Sequence, residues 1–99
     1  MEVSFRTRQL RRCYEESARA VQRWGPEVAR KFITRIKQLQ AIADFQQAYN
    51  IRAMRLHALK GSSRGELSIT LTGRWRLIVT KGEREDSVII EEVSNHYDD

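Results

Sequence analysis

Residues 67–79 read LSITLTGRWRLIV, and this stretch decides the fold class. Apolar residues occupy every second position on both sides of a central turn: Leu67, Ile69 and Leu71, then Trp75, Leu77 and Val79. Such alternation is typical of strands with one face on a hydrophobic core. Gly73-Arg74 separates the two runs, and a glycine relieves the φ constraint of a two-residue turn. The stretch therefore predicts an antiparallel β-hairpin.

Two further segments at strand spacing flank this hairpin. Met54, Leu56 and Ala58 precede it, followed by a turn that contains two glycines, at 61–65. A turn at 82–86 leads to a last run, whose members are Val88, Ile89, Ile90 and Val93. Its uniform hydrophobicity favours a more central place in the sheet. The C-terminal half therefore predicts four strands in antiparallel pairing.

The N-terminal half has a different period. Val3 to Phe5 is spaced as a short strand, and Thr7 can cap a helix that runs to Gly25. Its apolar stripe recurs at three- and four-residue steps and includes Leu10, Cys13, Tyr14, Ser17, Ala18 and Val21. Pro26 suits the first turn of a second helix that continues to about Asp44. We predict an α+β fold, with a short N-terminal strand and a helical hairpin packed on a twisted antiparallel sheet.

Length and composition limit the classes of protein that this chain can be. Residues 1–99 provide for a single domain, and hydrophobic residues make up 40% of them. No apolar run reaches the length of a membrane span, and the first residues lack the layout of a signal peptide. Cys13 is the only cysteine, which excludes an internal disulfide. We expect a cytoplasmic protein with no membrane partner.

The charge is unevenly distributed along the chain. Residues 1–82 carry 17 Lys and Arg and 6 Asp and Glu, net +11, whereas residues 83–99 carry one Arg and 7 acids, net −6. Of the 18 basic residues 14 are arginine, whose planar guanidinium suits bidentate contact with phosphate. A polyanionic partner is favoured over an acidic protein partner or a role in solubility alone.

Residues 52–76 hold the candidate chemistry. They contain six basic residues and one acid, Glu66, and strand alternation places Arg76 on the polar face with Ser68 and Thr70. RNA cleavage without a metal needs a base for the 2′-OH, cations around the phosphate and an acid for the leaving oxygen. Histidine and arginine can fill these roles, although a solvated sheet face would carry the same residues. The residues lack metal-ligand spacing and a phosphate-binding loop, so we expect no metal or cofactor.

Four ordered segments resemble the HigB-type toxins of the RelE/ParE superfamily. They are LHALKG at 56–61, GELSI at 65–69, GRWRLI at 73–78 and EEVSNHY at 91–97. The resemblance implies a small α+β fold and ribosome-dependent cleavage of mRNA that leaves a 2′,3′-cyclic phosphate. It also implies a helix-turn-helix antitoxin (HigA-like) as partner, with operator DNA bound only through that antitoxin. The exposed face of the helical hairpin, between Leu10 and Ala43, is the expected docking surface.

The resemblance also assigns roles to individual residues. The candidate catalytic residues are His57, Lys60, Arg76 and His96, and the candidate RNA-binding residues are Arg55, Arg64, Arg74 and Tyr97. Many relatives have an additional arginine before the Gly-Arg-Trp turn, where this chain has Thr70 and Thr72. Arg64 or Arg74 would then supply the missing cation. Two alternatives stay open, a ParE-like inhibitor of DNA gyrase on the same fold and a non-catalytic RNA-binding module.

Overall fold

The structure is a computed structural model, and it describes residues 1–95. The chain begins with β1 (Glu2–Phe5) and continues into four helices: α1 (Arg8–Glu15), α2 (Ser17–Trp24), α3 (Pro26–Ala41) and α4 (Phe45–Tyr49). A 3₁₀ turn (Arg52–Met54) precedes four strands: β2 (His57–Ala58), β3 (Leu67–Thr72), β4 (Trp75–Lys81) and β5 (Ser87–Ser94). This order confirms the predicted α+β class.

The strands form one sheet in the order β1-β5-β4-β3-β2. β2, β3, β4 and β5 pair antiparallel, as the turns between them predict. β1 pairs parallel with β5, so the sheet is mixed and not wholly antiparallel as predicted. A parallel pair needs a long crossover, which the helices and the intervening strands supply. β5 lies inside the sheet, in agreement with its uniform hydrophobicity.

The helices cover one face of the sheet and bury the core against it. α3 packs on β1 and β3, α1 packs on β1, and α2 packs on α3. Fully buried core side chains include Phe32, Ile36 and Leu39 from α3 and Ile69 and Leu77 from the sheet. The hairpin strands thus place their alternate apolar residues under α3. No helix within residues 1–95 has the length and apolarity needed to cross a bilayer.

The single N-terminal helix predicted between Thr7 and Gly25 is in fact two helices. Thr7 caps α1 by accepting a hydrogen bond from the Leu10 amide at 3.1 Å, as predicted. Glu16 is extended (φ −126°, ψ 96°), and its amide donates to the Arg12 carbonyl and ends α1. The interruption shifts the buried side of α2 to Ala20 and leaves Val21 41% exposed. A one-residue break preserves the apolar spacing, so periodicity alone does not detect it.

The segment between α3 and β3 also differs from the prediction. α3 ends at Ala41, and the Asp44 side chain caps the separate short helix α4 by accepting from the Gln47 amide at 3.1 Å. Met54 is fully buried, yet it lies in the 3₁₀ turn and not in a strand. Only His57–Ala58 pairs with β3, so the strand predicted from Met54 is shorter. Alternation and a 3₁₀ turn both place Met54 inward, which explains the error.

Candidate active site

The side of the sheet that faces away from the helices carries a group of polar residues. The strand register sets His57 opposite Ser68, and Thr70 opposite Arg76, which in turn pairs with Ser94. Directly opposed residues project from the same face of a sheet. We refer to this surface as the polar face, and its residues are His57, Ser68, Thr70, Arg76, Ile78, Glu92 and Ser94. Arg76 therefore shares a face with Ser68 and Thr70, as strand alternation predicts.

Arg76 is held at the start of β4 and is only 9% exposed. Its Nη1 donates to the carbonyl oxygens of Gly73 at 2.7 Å and Trp75 at 2.9 Å. Gly73 allows this arrangement because it takes a positive φ of 55° in the turn. These bonds fix one end of the guanidinium against the backbone. The β3–β4 turn therefore helps to fix the position of the Arg76 guanidinium.

His57 is oriented by the backbone that precedes it. Its Nδ1 lies 2.8 Å from the carbonyl oxygen of Arg55. A carbonyl oxygen only accepts, so Nδ1 carries the proton in the neutral ring and Nε2 is the basic nitrogen. Arg55 itself takes a left-handed conformation (φ 48°), which is uncommon for a residue with a side chain. The strained residue thus presents the carbonyl that selects the histidine tautomer.

Two hydroxyl groups lie between His57 and Arg76 on the polar face. The oxygens Ser68 Oγ and Thr70 Oγ1 are buried, and neither has a hydrogen-bond partner within residues 1–95. An unpaired buried hydroxyl costs about 1–3 kcal/mol of stability, so native proteins usually avoid one. The Cα atoms of His57 and Arg76 are about 12 Å apart, from two strand spacings and a two-residue offset. An anion held between the two side chains would lie over these hydroxyls.

Arg35 supports the polar face from the helix side of the sheet. It is 4% exposed, and it donates from Nε to the Thr70 carbonyl at 2.9 Å and from Nη2 to the Ala53 carbonyl at 3.1 Å. Burial lowers the pKa of its guanidinium. Arg35 is not among the candidate residues predicted from the sequence. Its position inside the apolar stripe of α3, between Phe32 and Leu39, is the pattern that would have revealed it.

Lys60 and Arg64 lie on the loop that joins β2 to β3. Ser62 organises this loop, because its Oγ donates to Glu66 Oε1 and accepts from the Glu66 amide, both at 3.1 Å. Lys60 and Arg64 are exposed. Arg64 lines a cavity of about 350 Å³ with Arg6, Glu91 and Glu92. The loop therefore brings basic and acidic groups together at one border of the polar face.

The same cavity is lined by two acidic residues that are not among the candidates predicted from the sequence, Glu91 and Glu92. Glu91 accepts from the Thr80 hydroxyl at 2.7 Å and lies 3.9 Å from Arg6 Nε. Glu92 is on the polar face because it pairs with Ile78. A register shift between Ile78 and Val79 places both glutamates there, which alternation without the shift would not predict. The site is thus less uniformly basic than the composition of residues 52–76 suggests.

The remaining candidates have different placements. Arg55 and Arg74 are exposed, the first beside His57 and the second in the β3–β4 turn. His96 and Tyr97 lie outside the described residues. Within residues 1–95 no three His, Cys, Asp or Glu side chains are grouped in a way that could hold a metal ion. The described site therefore consists of His57 with its proton on Nδ1, the buried Arg76, the hydroxyls of Ser68 and Thr70, and nearby basic loop residues.

Comparison with models of known protein families and with curated proteins finds no match.

Proposed function

We propose that this protein is a metal-independent endoribonuclease that cleaves mRNA on the ribosome, as the toxin of a toxin–antitoxin pair. One observation carries the proposal: His57 and Arg76 share a sheet face with two buried hydroxyls that have no partner within residues 1–95. A base, a cation and unused donors on one surface are the groups that 2′-OH attack on a phosphodiester needs. The resemblance of four segments to HigB-type toxins supports the same reaction.

In this mechanism His57 acts through Nε2. The carbonyl of Arg55 holds the Nδ1 proton, so Nε2 can take the proton of the substrate 2′-OH. The 2′-oxygen then attacks the neighbouring phosphorus, and the bond to the 5′-oxygen of the next nucleotide breaks. The products are a 2′,3′-cyclic phosphate and a 5′-hydroxyl.

The other groups act on the phosphate and on the leaving oxygen. Arg76 balances the charge that develops on the phosphoryl oxygens, and Lys60 adds a second cation from the loop. Ser68 and Thr70 would donate to the same oxygens only if substrate binding uncovered their hydroxyls, which are buried. His96 is the candidate acid that protonates the leaving 5′-oxygen, a role that rests on the resemblance alone. Arg55, Arg64, Arg74 and Tyr97 would hold the RNA strand.

The proposal also includes a partner protein that binds this protein and blocks its cleavage of mRNA. A groove of about 300 Å³ between α2 and α3 has an apolar floor that includes Val21 and Ile33, with Arg30 and Lys37 in its lining. An amphipathic helix with acidic flanks fits this combination of apolar floor and basic lining. We propose that an antitoxin of the helix-turn-helix (HigA-like) class supplies that helix, and that both proteins act in the cytoplasm.

The test is cleavage of a message by purified protein added to translating ribosomes. We expect cleavage only when the ribosomes are present, with 2′,3′-cyclic phosphate at the new ends. Arg76→Ala should lose most of this cleavage, and its matched control is Arg84→Ala, which removes one exposed arginine outside the polar face. Intact message combined with inhibited supercoiling by gyrase would replace this proposal with the ParE-like one. Intact message with RNA binding retained would favour the non-catalytic module.

A further inference from the structure

Four arginines line a groove between α1 and α2, in the helix layer on the other side of the sheet from the polar face. The groove has a volume of about 560 Å³, and its lining residues are Arg8, Gln9, Arg12, Cys13, Arg19, Gln22 and Arg23. Each helix contributes two arginines spaced four residues apart, which is about one helical turn. Among residues 1–95, none of those that line the groove is acidic. The groove therefore presents two short rows of cations that face one another.

Internal ion pairing does not account for these charges. Arg19 contacts Glu16 at 2.6 Å, and the Arg23 guanidinium lies 5.4 Å from the Trp24 ring. Within residues 1–95, Arg8 and Arg12 make no ion pair. Their positive charges are therefore available to a partner.

Helix stability explains only half of the pattern, because Arg12 and Arg23 lie in the last turns of α1 and α2, where the helix dipole favours cations. Arg8 and Arg19 lie in the first turns of α1 and α2, where the positive end of the helix dipole disfavours cations. Glu16 at the N-cap of α2 offsets this repulsion for Arg19, whereas the first turn of α1 has no acidic residue beside Arg8. Of the four arginines, Arg8 thus reduces the stability of the helix that carries it. A role in binding an anion accounts for that arrangement.

The lining residues indicate which kind of polyanion fits. Single-stranded nucleic acid is usually bound by aromatic side chains that stack on the bases. The part of the chain that the structure describes offers none to this groove: Trp24 packs on Phe32 at 4.8 Å between ring centroids, and Tyr14 stacks on Phe5. Guanidinium and amide groups instead suit phosphate oxygens and ribose hydroxyls, through which base-paired RNA is recognised.

We propose that the groove between α1 and α2 binds the phosphodiester backbone of base-paired RNA. The inference rests on the proposed function only for the source of that RNA, which would be ribosomal. The protein would then contact the ribosome through its helices while the polar face meets the message. Binding in the groove and cleavage on the polar face would be separable.

The experiment measures binding of the full chain to a fluorescent 16-base-pair RNA duplex over a series of salt concentrations. The groove variant is Arg8→Gln with Arg12→Gln. The matched control is Arg11→Gln with Arg84→Gln, which removes two exposed arginines that do not line this groove. Losing two phosphate contacts should lower the slope of log affinity against log salt by about 2 for the groove variant, because each contact contributes about 0.9. The control variant should keep most of that slope.

Two further variants separate the explanations. Arg8→Lys with Arg12→Lys retains the charge and should recover most of the salt slope. Arg76→Ala should bind the duplex like the parent and leave the message largely uncut. Duplex binding with an uncut message for the parent protein would contradict the proposed nuclease and leave this inference standing. Equal losses for the groove and control variants would overturn the inference. Tighter binding of polyglutamate than of duplex RNA would also overturn it, in favour of an acidic protein partner.

Discussion

Arg35 on α3 donates from Nε to the carbonyl oxygen of Thr70 on β3 at 2.9 Å, and Thr70 is the residue that pairs with Arg76. The same guanidinium donates from Nη2 to Ala53, in the 3₁₀ turn that leads to His57. One buried cation therefore connects the two segments that present the candidate base and the candidate phosphate ligand. Thr70 borders a register shift in the β3–β4 pair, where an additional hydrogen bond stabilises an irregular ladder.

We predict that Arg35→Met lowers the free energy of unfolding by about 2–4 kcal/mol, because it leaves two backbone carbonyls without their donor. Arg30→Met, an exposed substitution on the same helix, should change it by less than about 0.5 kcal/mol. Urea denaturation measures both. Equal effects would show that Arg35 contributes no more than a surface residue.

The pH dependence of this contribution has a defined sign. Burial lowers the pKa of the Arg35 guanidinium, so the folded state releases its proton more readily than the unfolded state. Burying the protonated guanidinium lowers the free energy of unfolding, and this loss would disappear only when the pH rises above the lowered pKa. Arginine stays protonated in proteins, so the cost should be constant near neutral pH. The stability difference between Arg35→Met and the parent should therefore not vary between about pH 6 and 8.

Ser68→Ala and Thr70→Val should maintain or increase stability, by up to about 1 kcal/mol each, because they remove hydroxyls that have no hydrogen-bond partner within residues 1–95. Cleavage should fall if these hydroxyls contact the phosphate. Thr80→Val is the matched control, since the Thr80 hydroxyl donates to Glu91 and its removal should destabilise the protein. Thermal denaturation and message cleavage are measured together. Destabilisation of all three variants to the same extent would argue that Ser68 and Thr70 are ordinary structural hydroxyls.

The hairpin and the polar face could be predicted from sequence because both follow from period-two alternation around Gly73. The single-residue break at Glu16 could not, since the apolar spacing of Leu10, Cys13 and Ala20 tolerates it. Glu92 was missed for a related reason, because a register shift in the β4–β5 pair is invisible in the alternation of either strand. The tautomer of His57 depends on the left-handed backbone of Arg55, and no residue preference indicates that conformation at an arginine.

Arg76→Ala should reduce message cleavage about a hundredfold, the usual cost of removing one oriented donor to a developing anion. Some loss of stability, about 1–2 kcal/mol, should accompany it because Nη1 bonds to two carbonyls in the turn. Arg76→Lys keeps the charge without the planar fork, so it should recover only part of the activity. Cleavage rates compared at a temperature where each variant is fully folded separate the two effects. Unchanged rates under those conditions would assign Arg76 to the fold alone.

His57→Asn should abolish cleavage while preserving the fold. The asparagine amide nitrogen occupies the place of Nδ1 and can donate to the Arg55 carbonyl, but nothing replaces the basic Nε2. Loss of a general base reduces rates by about 10²–10⁴-fold. Circular dichroism and message cleavage provide the two measurements. An active His57→Asn variant would remove His57 from the mechanism and shift the role of base to another residue.

Val21→Asp should prevent binding of the proposed antitoxin without reducing cleavage. Val21 is 41% exposed in the groove between α2 and α3, so an aspartate there disrupts the apolar contact and repels an acidic helix. Tyr49→Asp is the matched control, because Tyr49 is 48% exposed on α4 and does not line that groove. Co-expression with the product of the neighbouring reading frame, followed by pull-down, measures the interaction. For the parent protein, the association rate should fall as salt increases while the dissociation rate changes little, because charges steer the encounter and apolar contacts hold the complex. Equal binding by the parent and by Val21→Asp would place the partner elsewhere on the molecule.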